Sequence, residues 1–173
     1  MKNKFLIVIL LFISVVFGGC KGLKITYNTS GGSLDPNIKT FSVDYFPNKA
    51  PLVVPYLSDL FTEELTKYMR SKTGLDQLTE SNGDIRFEGQ IVEYRQKPME
   101  IKKDEVAASN RLTIGIRVKY TNTLDEKFDF SSTFSQYEDY STEADFNSVE
   151  ETLIKKIIEK IIDDIYNKAI VNW

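Results

Sequence analysis

Along residues 112–121 the chain alternates without a break. Leu112, Ile114, Ile116, Val118 and Tyr120 are apolar, and Thr113, Gly115, Arg117, Lys119 and Thr121 lie between them. A period of two puts the two sets on opposite faces of a strand, one buried and one open to water. The same period marks Thr40–Phe46, where Phe41, Val43 and Tyr45 oppose Ser42 and Asp44, and Ile85–Tyr94, where Ile85, Phe87 and Ile91 oppose Arg86, Glu88 and Gln90. A fourth strand is predicted over Phe128–Ser135, with Phe128, Phe130 and Phe134 facing inward.

Two stretches carry the other period. From Tyr56 to Arg70, Leu57, Leu60, Phe61, Leu65, Tyr68 and Met69 recur at helical spacing, and Gly74 is a suitable stop. From about Asn147 to the end, Leu153, Ile154, Ile157, Ile158, Ile161, Ile162, Ile165, Ala169 and Ile170 form a wide apolar arc. Ser148 followed by Glu151 has the spacing of a capping box. Pro47, Pro51 and Pro55 make the intervening segment a crossing loop, and Ser81–Asp84 reads as a turn. Leu75–Thr79 stays undecided, and Tyr137 and Tyr140 fall in a connection.

The order is β-α-β-β-β-α, with one apolar face per strand. This is an α+β fold: a four-stranded mixed sheet with two helices packed on one face, and the other face polar or covered by a partner. The first strand, joined onward through a helix, is free to pair parallel with a neighbour.

The first twenty residues have a different pattern. Lys2 and Lys4 precede an apolar run from Phe5 to Phe17, closed by Gly18-Gly19-Cys20. The run is shorter than the roughly 20 residues that cross a bilayer, so it reads as a secretory leader over residues 1–19. Val16–Cys20 resembles the lipobox of bacterial lipoproteins, which implies cleavage before Cys20 and lipidation of its thiol. Several acyl chains on one residue hold a protein firmly in a membrane. Lys21–Lys39, rich in Gly, Asn, Ser and Thr, is expected to be a flexible tether, so that residues 20–39 carry the domain of residues 40–173. The covalent lipid is the one attached group expected; no cofactor or metal is.

Composition then removes whole classes of activity. The chain has no histidine and one cysteine, Cys20. The Ser-His and Cys-His nucleophile pairs and the commonest zinc ligand are therefore missing. Glu150-Glu151 and Asp163-Asp164 remain as paired acids, but on a helix surface such pairs are ordinarily solvated charge. We expect no enzyme. Loss of Lys2 and Lys4 takes the net charge from −3 to −5, which does not suit nucleic acid as a partner.

Four segments, Phe41–Asn48, Gly83–Gly89, Asn110–Ile114 and Asn167–Trp173, together resemble the LptE family of lipopolysaccharide-assembly lipoproteins in its Bacteroidetes-type form. The resemblance spans essentially the whole mature chain. It implies two helices on a four-stranded mixed sheet, in agreement with the pattern. It also implies lipid anchoring in the outer membrane facing the periplasm, a role as plug and assembly factor of an LptD-like β-barrel translocon, and contact with lipopolysaccharide. The alternative is a pilotin-like or structural lipoprotein serving another outer-membrane pore.

Phosphates of a lipopolysaccharide require Arg or Lys donors, several in one place. Two groups qualify. Arg95, Lys97, Lys102, Lys103 and Arg111 lie on the long polar connection Arg95–Arg111, interspersed with Glu93, Glu100, Asp104 and Glu105 that make an ordinary solvated loop the competing explanation. Arg86, Arg117 and Lys119 lie on the polar side of the central strands, where Glu88 and Asp129 could pair with them. The length of the connection, with Pro98 and Met99 as a stiff apolar point, also recommends it as a contact for the barrel.

Overall fold

A computed structural model describes residues 34–99 and 109–171. The elements are β1 (Thr40–Val43), α1 (Leu57–Thr73), β2 (Asp76–Gln77), β3 (Ile85–Pro98), β4 (Ser109–Asn122), a 3-10 turn (Glu126–Phe128), β5 (Phe130–Ser141), α2 (Phe146–Tyr166) and a π-helical turn (Asn167–Val171). The strands form one mixed sheet in the order β2-β1-β3-β4-β5. β1 pairs parallel with both β2 and β3, while β3-β4 and β4-β5 are antiparallel.

The sheet has five strands rather than four. β2, two residues within the undecided stretch, adds to the edge through Thr40–Asp76 and Phe41–Gln77 pairing. Its brevity explains why periodicity missed it, because two exposed residues show no alternation.

Both helices cover the face that carries the alternating apolar residues. Phe41, Ile85, Phe87, Ile91, Leu112, Ile114, Ile116, Val118 and Tyr120 are fully buried against Leu57, Phe61, Leu65 and Met69 of α1 and the isoleucine arc of α2. Phe46 and Phe61 meet edge to face at 5.0 Å. Ile38 is already 3% exposed, so packed chain begins just before the strand. Asp84 fixes that entry, since its carboxylate accepts the amides of Lys39 and Thr40 at 2.8 and 2.9 Å.

The helix ends obey local rules at one terminus and not at the other. α1 stops at Gly74, in the left-handed region at φ 69°, with its amide returning to the Arg70 carbonyl. The capping box expected at Ser148 does not form. Ser148 lies inside the first turn of α2, which starts at Phe146, and its hydroxyl donates to the Asp145 carbonyl at 2.7 Å.

Two hairpin strands are longer than their periodicity suggested. β3 runs on to Pro98 and β4 begins at Ser109, so that most of the expected Arg95–Arg111 connection is ladder. The reason is a bulge. Ile91 pairs with Ile116 and Glu93 with Gly115, leaving Val92 as an extra residue. Beyond it the alternation continues with its parity reversed, and a search for one unbroken period ends there. β5 likewise continues to Ser141, taking in Tyr137 and Tyr140.

Candidate functional site

Parity decides which face each cation occupies. On β3, Arg86, Glu88 and Gln90 point away from the helices. The extra residue at Val92 then turns Glu93, Arg95 and Lys97 to that same side. Without the bulge, Arg95 and Lys97 would point into the helix layer. On β4 the helix-free side carries Arg111, Thr113, Gly115, Arg117, Lys119 and Thr121, and on β5 it carries Ser131, Thr133, Ser135, Tyr137, Asp139 and Ser141.

The two groups of candidates therefore become one. Arg86, Arg95, Lys97, Arg111, Arg117 and Lys119 all stand on the helix-free face of β3 and β4. Arg95, Lys97 and Arg111 are corrected from a loop to strand positions. Lys102 and Lys103, like Cys20, lie outside the described residues. Among the described residues Asp129 forms no ion pair with these cations; its carboxylate accepts the Asn122 amide at 2.7 Å.

Three carboxylates share the face, and each is engaged. Glu88 accepts from Lys119 at 2.9 Å, and Glu93 lies 2.6 Å from Arg95. Asp139 receives both Nε and an η nitrogen of Arg111, at 2.7 and 2.8 Å. The hydrogen bond from Arg111 holds the Asp139 carboxyl below its ordinary range, and that same bond pushes the guanidinium up. The guanidinium carbon also lies over the Tyr137 ring, 3.5 Å from its centroid. Gly115 gives Glu93 room to reach across β4, where Ser135 Oγ donates to it at 3.4 Å; a Cβ on Gly115 would stand 3.0 Å from the Glu93 Cβ.

Among the described residues, six cations against three engaged carboxylates leave the β3–β5 part of this face positive on a chain of net charge −3. Among the described residues Arg117 and Lys97 have no hydrogen-bonding or ion-pair partner. Lys97 stands directly opposite Arg111 in the ladder, an arrangement of like charges that weakens a sheet unless an anion lies between them. The face can thus bind phosphate or carboxylate groups in a row, with one pre-oriented guanidinium and two free donors.

Tyr137 and Asp139 were missed as site residues because the fourth strand was ended at Ser135. The alternation of Phe130, Phe134 and Tyr140 with polar neighbours, read through the polar Gln136 and Glu138, would have carried it on.

On the helix side, a cleft of about 710 Å³ is lined by Phe128, Phe130, Phe134 and Lys168 among others. Its lysine is already committed, 2.6 Å from Ser132 Oγ and over the Phe130 ring at 4.8 Å. Among the described residues no cluster of three or more His, Cys, Asp or Glu could hold a metal, and no helix is long and apolar enough to cross a membrane.

Residues 38–169 match the family described as LptE, lipopolysaccharide-assembly. No curated protein matches the sequence. Among solved structures, the chain is similar to a minor lipoprotein from Acinetobacter baumannii, with 14% identity, a TM-score of 0.51, and coverage of 76% of this chain and 91% of that one. A hypothetical protein from Chlamydia trachomatis is similar with 11% identity and the same TM-score, over 76% of this chain and 97% of the other. At these identities the likeness is one of fold.

Proposed function

The chain belongs to the LptE family of lipopolysaccharide-assembly proteins, and from that premise we propose that it is a lipid-anchored plug and assembly factor of an outer-membrane β-barrel that inserts lipopolysaccharide into the outer leaflet. Cys20 carries the anchor, and the folded domain faces the periplasm. The protein performs no bond chemistry. Its work is positional: to hold the barrel in an open shape and to offer lipopolysaccharide phosphates a charged track.

One observation carries the reading of the site. A bulge at Val92 turns Arg95 and Lys97 to the uncovered face of the sheet beside Arg86, Arg111, Arg117 and Lys119, and among the described residues Arg117 and Lys97 have no partner. The β3-β4 hairpin is about 45 Å long from Ile85 to Pro98, and β5 accompanies it to that end through the Asn110–Tyr140 and Ser109–Ser141 pairs.

The test is the double variant Lys97→Glu, Arg117→Glu in the full chain. Charge-assisted hydrogen bonds contribute about 1.5–3 kcal/mol each, so lipopolysaccharide binding should fall by roughly tenfold or more with unchanged thermal stability. Binding that survives both reversals would remove this face as the lipid site. For the barrel, the full chain is affinity-captured from solubilised outer membranes. A large β-barrel retained in near-equal amount supports the plug, whereas a different secretion pore supports the pilotin-like alternative. Cys20→Ser should release the protein from the membrane fraction; a variant that stays bound would refute the anchor.

A further inference from the structure

The core is unfinished along β5. On β4 the helix-facing residues from Leu112 to Tyr120 are fully buried, but on β5 every helix-facing residue stays half-buried, Phe130 and Phe134 among them. The cleft of about 710 Å³ between Phe128, Phe130, Phe134 and Lys168 lies there. The backbone is open at the same place. In the β3-β4 ladder the odd-numbered residues of β4 do the bonding, since Met99 donates to the Ser109 carbonyl at one end and Thr123 to the Asp84 carbonyl at the other. Its even-numbered residues therefore bond the even-numbered residues of β5, and the amides and carbonyls of Ser131, Thr133 and Ser135 point outward. Among the described residues no backbone group bonds to them. Farther along, Lys160 closes the edge, with Nζ paired to Glu138 and 3.5 Å from the Tyr137 carbonyl. The open stretch is Phe130–Gln136.

The chain contains a segment that matches it. Leu23, Ile25 and Tyr27 alternate with Lys24, Thr26 and Asn28, the period of a strand with one buried face, and Leu23–Thr29 equals the open stretch in length. The reach is sufficient. The described chain begins at Leu34, beside Tyr166 and Ile170 at the end of α2, and Lys168 of the same turn touches Phe130 and Ser132. About one helix diameter, ~10–12 Å, separates Leu34 from Phe130, and the chain from Thr29 to Leu34 spans up to roughly 17 Å. The sheet's other edge does not compete, because β2 is two residues long and both are exposed.

We infer that Leu23–Thr29 is a sixth strand, docked on the outer edge of β5 and closing the core over Phe130 and Phe134. Direction follows from the reach: the segment must end beside Phe130, where β5 begins, so it runs antiparallel. Register follows from the faces. Leu23, Ile25 and Tyr27 meet the cleft only when they lie opposite even-numbered residues of β5, which sets Lys24 opposite Ser135, Thr26 opposite Thr133 and Asn28 opposite Ser131. Ile25 then covers Phe134, and Tyr27 fills the cleft beside Ser132 and Lys168. Lys24 joins the helix-free face and adds to its positive charge. Only Lys21 and Gly22 remain between the strand and Cys20, so a lipid on Cys20 holds the domain against the membrane in one orientation rather than on a long tether. The docking rests on the cleft, the edge and the segment, and holds whether or not the lipopolysaccharide reading stands.

Pairs of cysteines in the purified full chain, oxidised and with the linked peptides identified by mass, test the strand. Asn28 and Ser131 would be about 5.5 Å apart at Cα, within disulfide reach, and Asn28 and Ser135 roughly 15 Å apart. Asn28→Cys with Ser131→Cys should link within one chain about tenfold or more faster than Asn28→Cys with Ser135→Cys. Ser131 and Ser135 are exposed, so neither pair should disturb the fold. A free tether links both pairs alike, a parallel strand favours residue 135, and a strand supplied by a second copy gives a species of twice the chain mass. Each of these results, or no link at residue 131, overturns the inference. Ile25→Asp gives a second readout: it should lower the urea midpoint of the full chain, and Lys24→Asp should not. An unchanged midpoint for Ile25→Asp overturns the docking as well.

Discussion

Tyr120 shows how much a single group decides in this core. Its ring is fully buried between Phe87 and Phe130, at 5.2 Å from each, yet among the described residues its hydroxyl has no partner. Burial, and secondarily the Asp129 charge, push its ionisation well above the ordinary tyrosine range. An unpaired buried hydroxyl costs about 1–3 kcal/mol. Tyr120→Phe should therefore raise the urea midpoint, and a lowered midpoint would mean that the hydroxyl is satisfied. Phe61→Ala, by contrast, removes a fully buried ring packed on Phe46 and should cost about 3–5 kcal/mol in the same measurement. Asp84 adds a pH dependence. The amide of Lys39 chiefly, with that of Thr40, holds its carboxyl below the usual range. A depressed folded value stabilises the fold above the unfolded value and loses that contribution as pH falls through the folded one. Asp84→Asn should accordingly lower stability at pH 7 and flatten the loss of stability below about pH 4.

At the scale of elements, the bulge in β3 is the feature on which the site depends. Deleting Val92 would restore strict alternation, send Arg95 and Lys97 toward α2, and withdraw Tyr94, whose hydroxyl now donates to Glu150 at 2.5 Å. The deletion should unfold the hairpin end, seen as lost amide-exchange protection at residues 94–97 with protection kept near Phe87. The start of α2 teaches the opposite lesson. Because Ser148 bonds a carbonyl rather than capping amides, Ser148→Ala should change stability by less than the ~1 kcal/mol of a true cap. The pattern S-x-x-E was present, but the helix begins two residues earlier, where Phe146 packs on Tyr140 at 5.5 Å. Tertiary packing overrode the local signal.

For the whole molecule, one covered and one open sheet face together set what the protein can do. The apolar face is consumed by two helices, and the polar face and the β5 edge remain open. Period two in β4 and period 3.6 in the helices determined the α+β class and most of the core, because burial on one side imposes its period wherever an element is long. They also determined that Arg86, Arg117 and Lys119 share a face. Residue order could not show that Arg95, Lys97 and Arg111 join them. That required pairing: a one-residue bulge reverses every side chain beyond it, and only the register of β3 against β4 reveals where the extra residue lies. The free edge of β5 was likewise decided in three dimensions, since which amides point outward depends on which neighbour bonds the others.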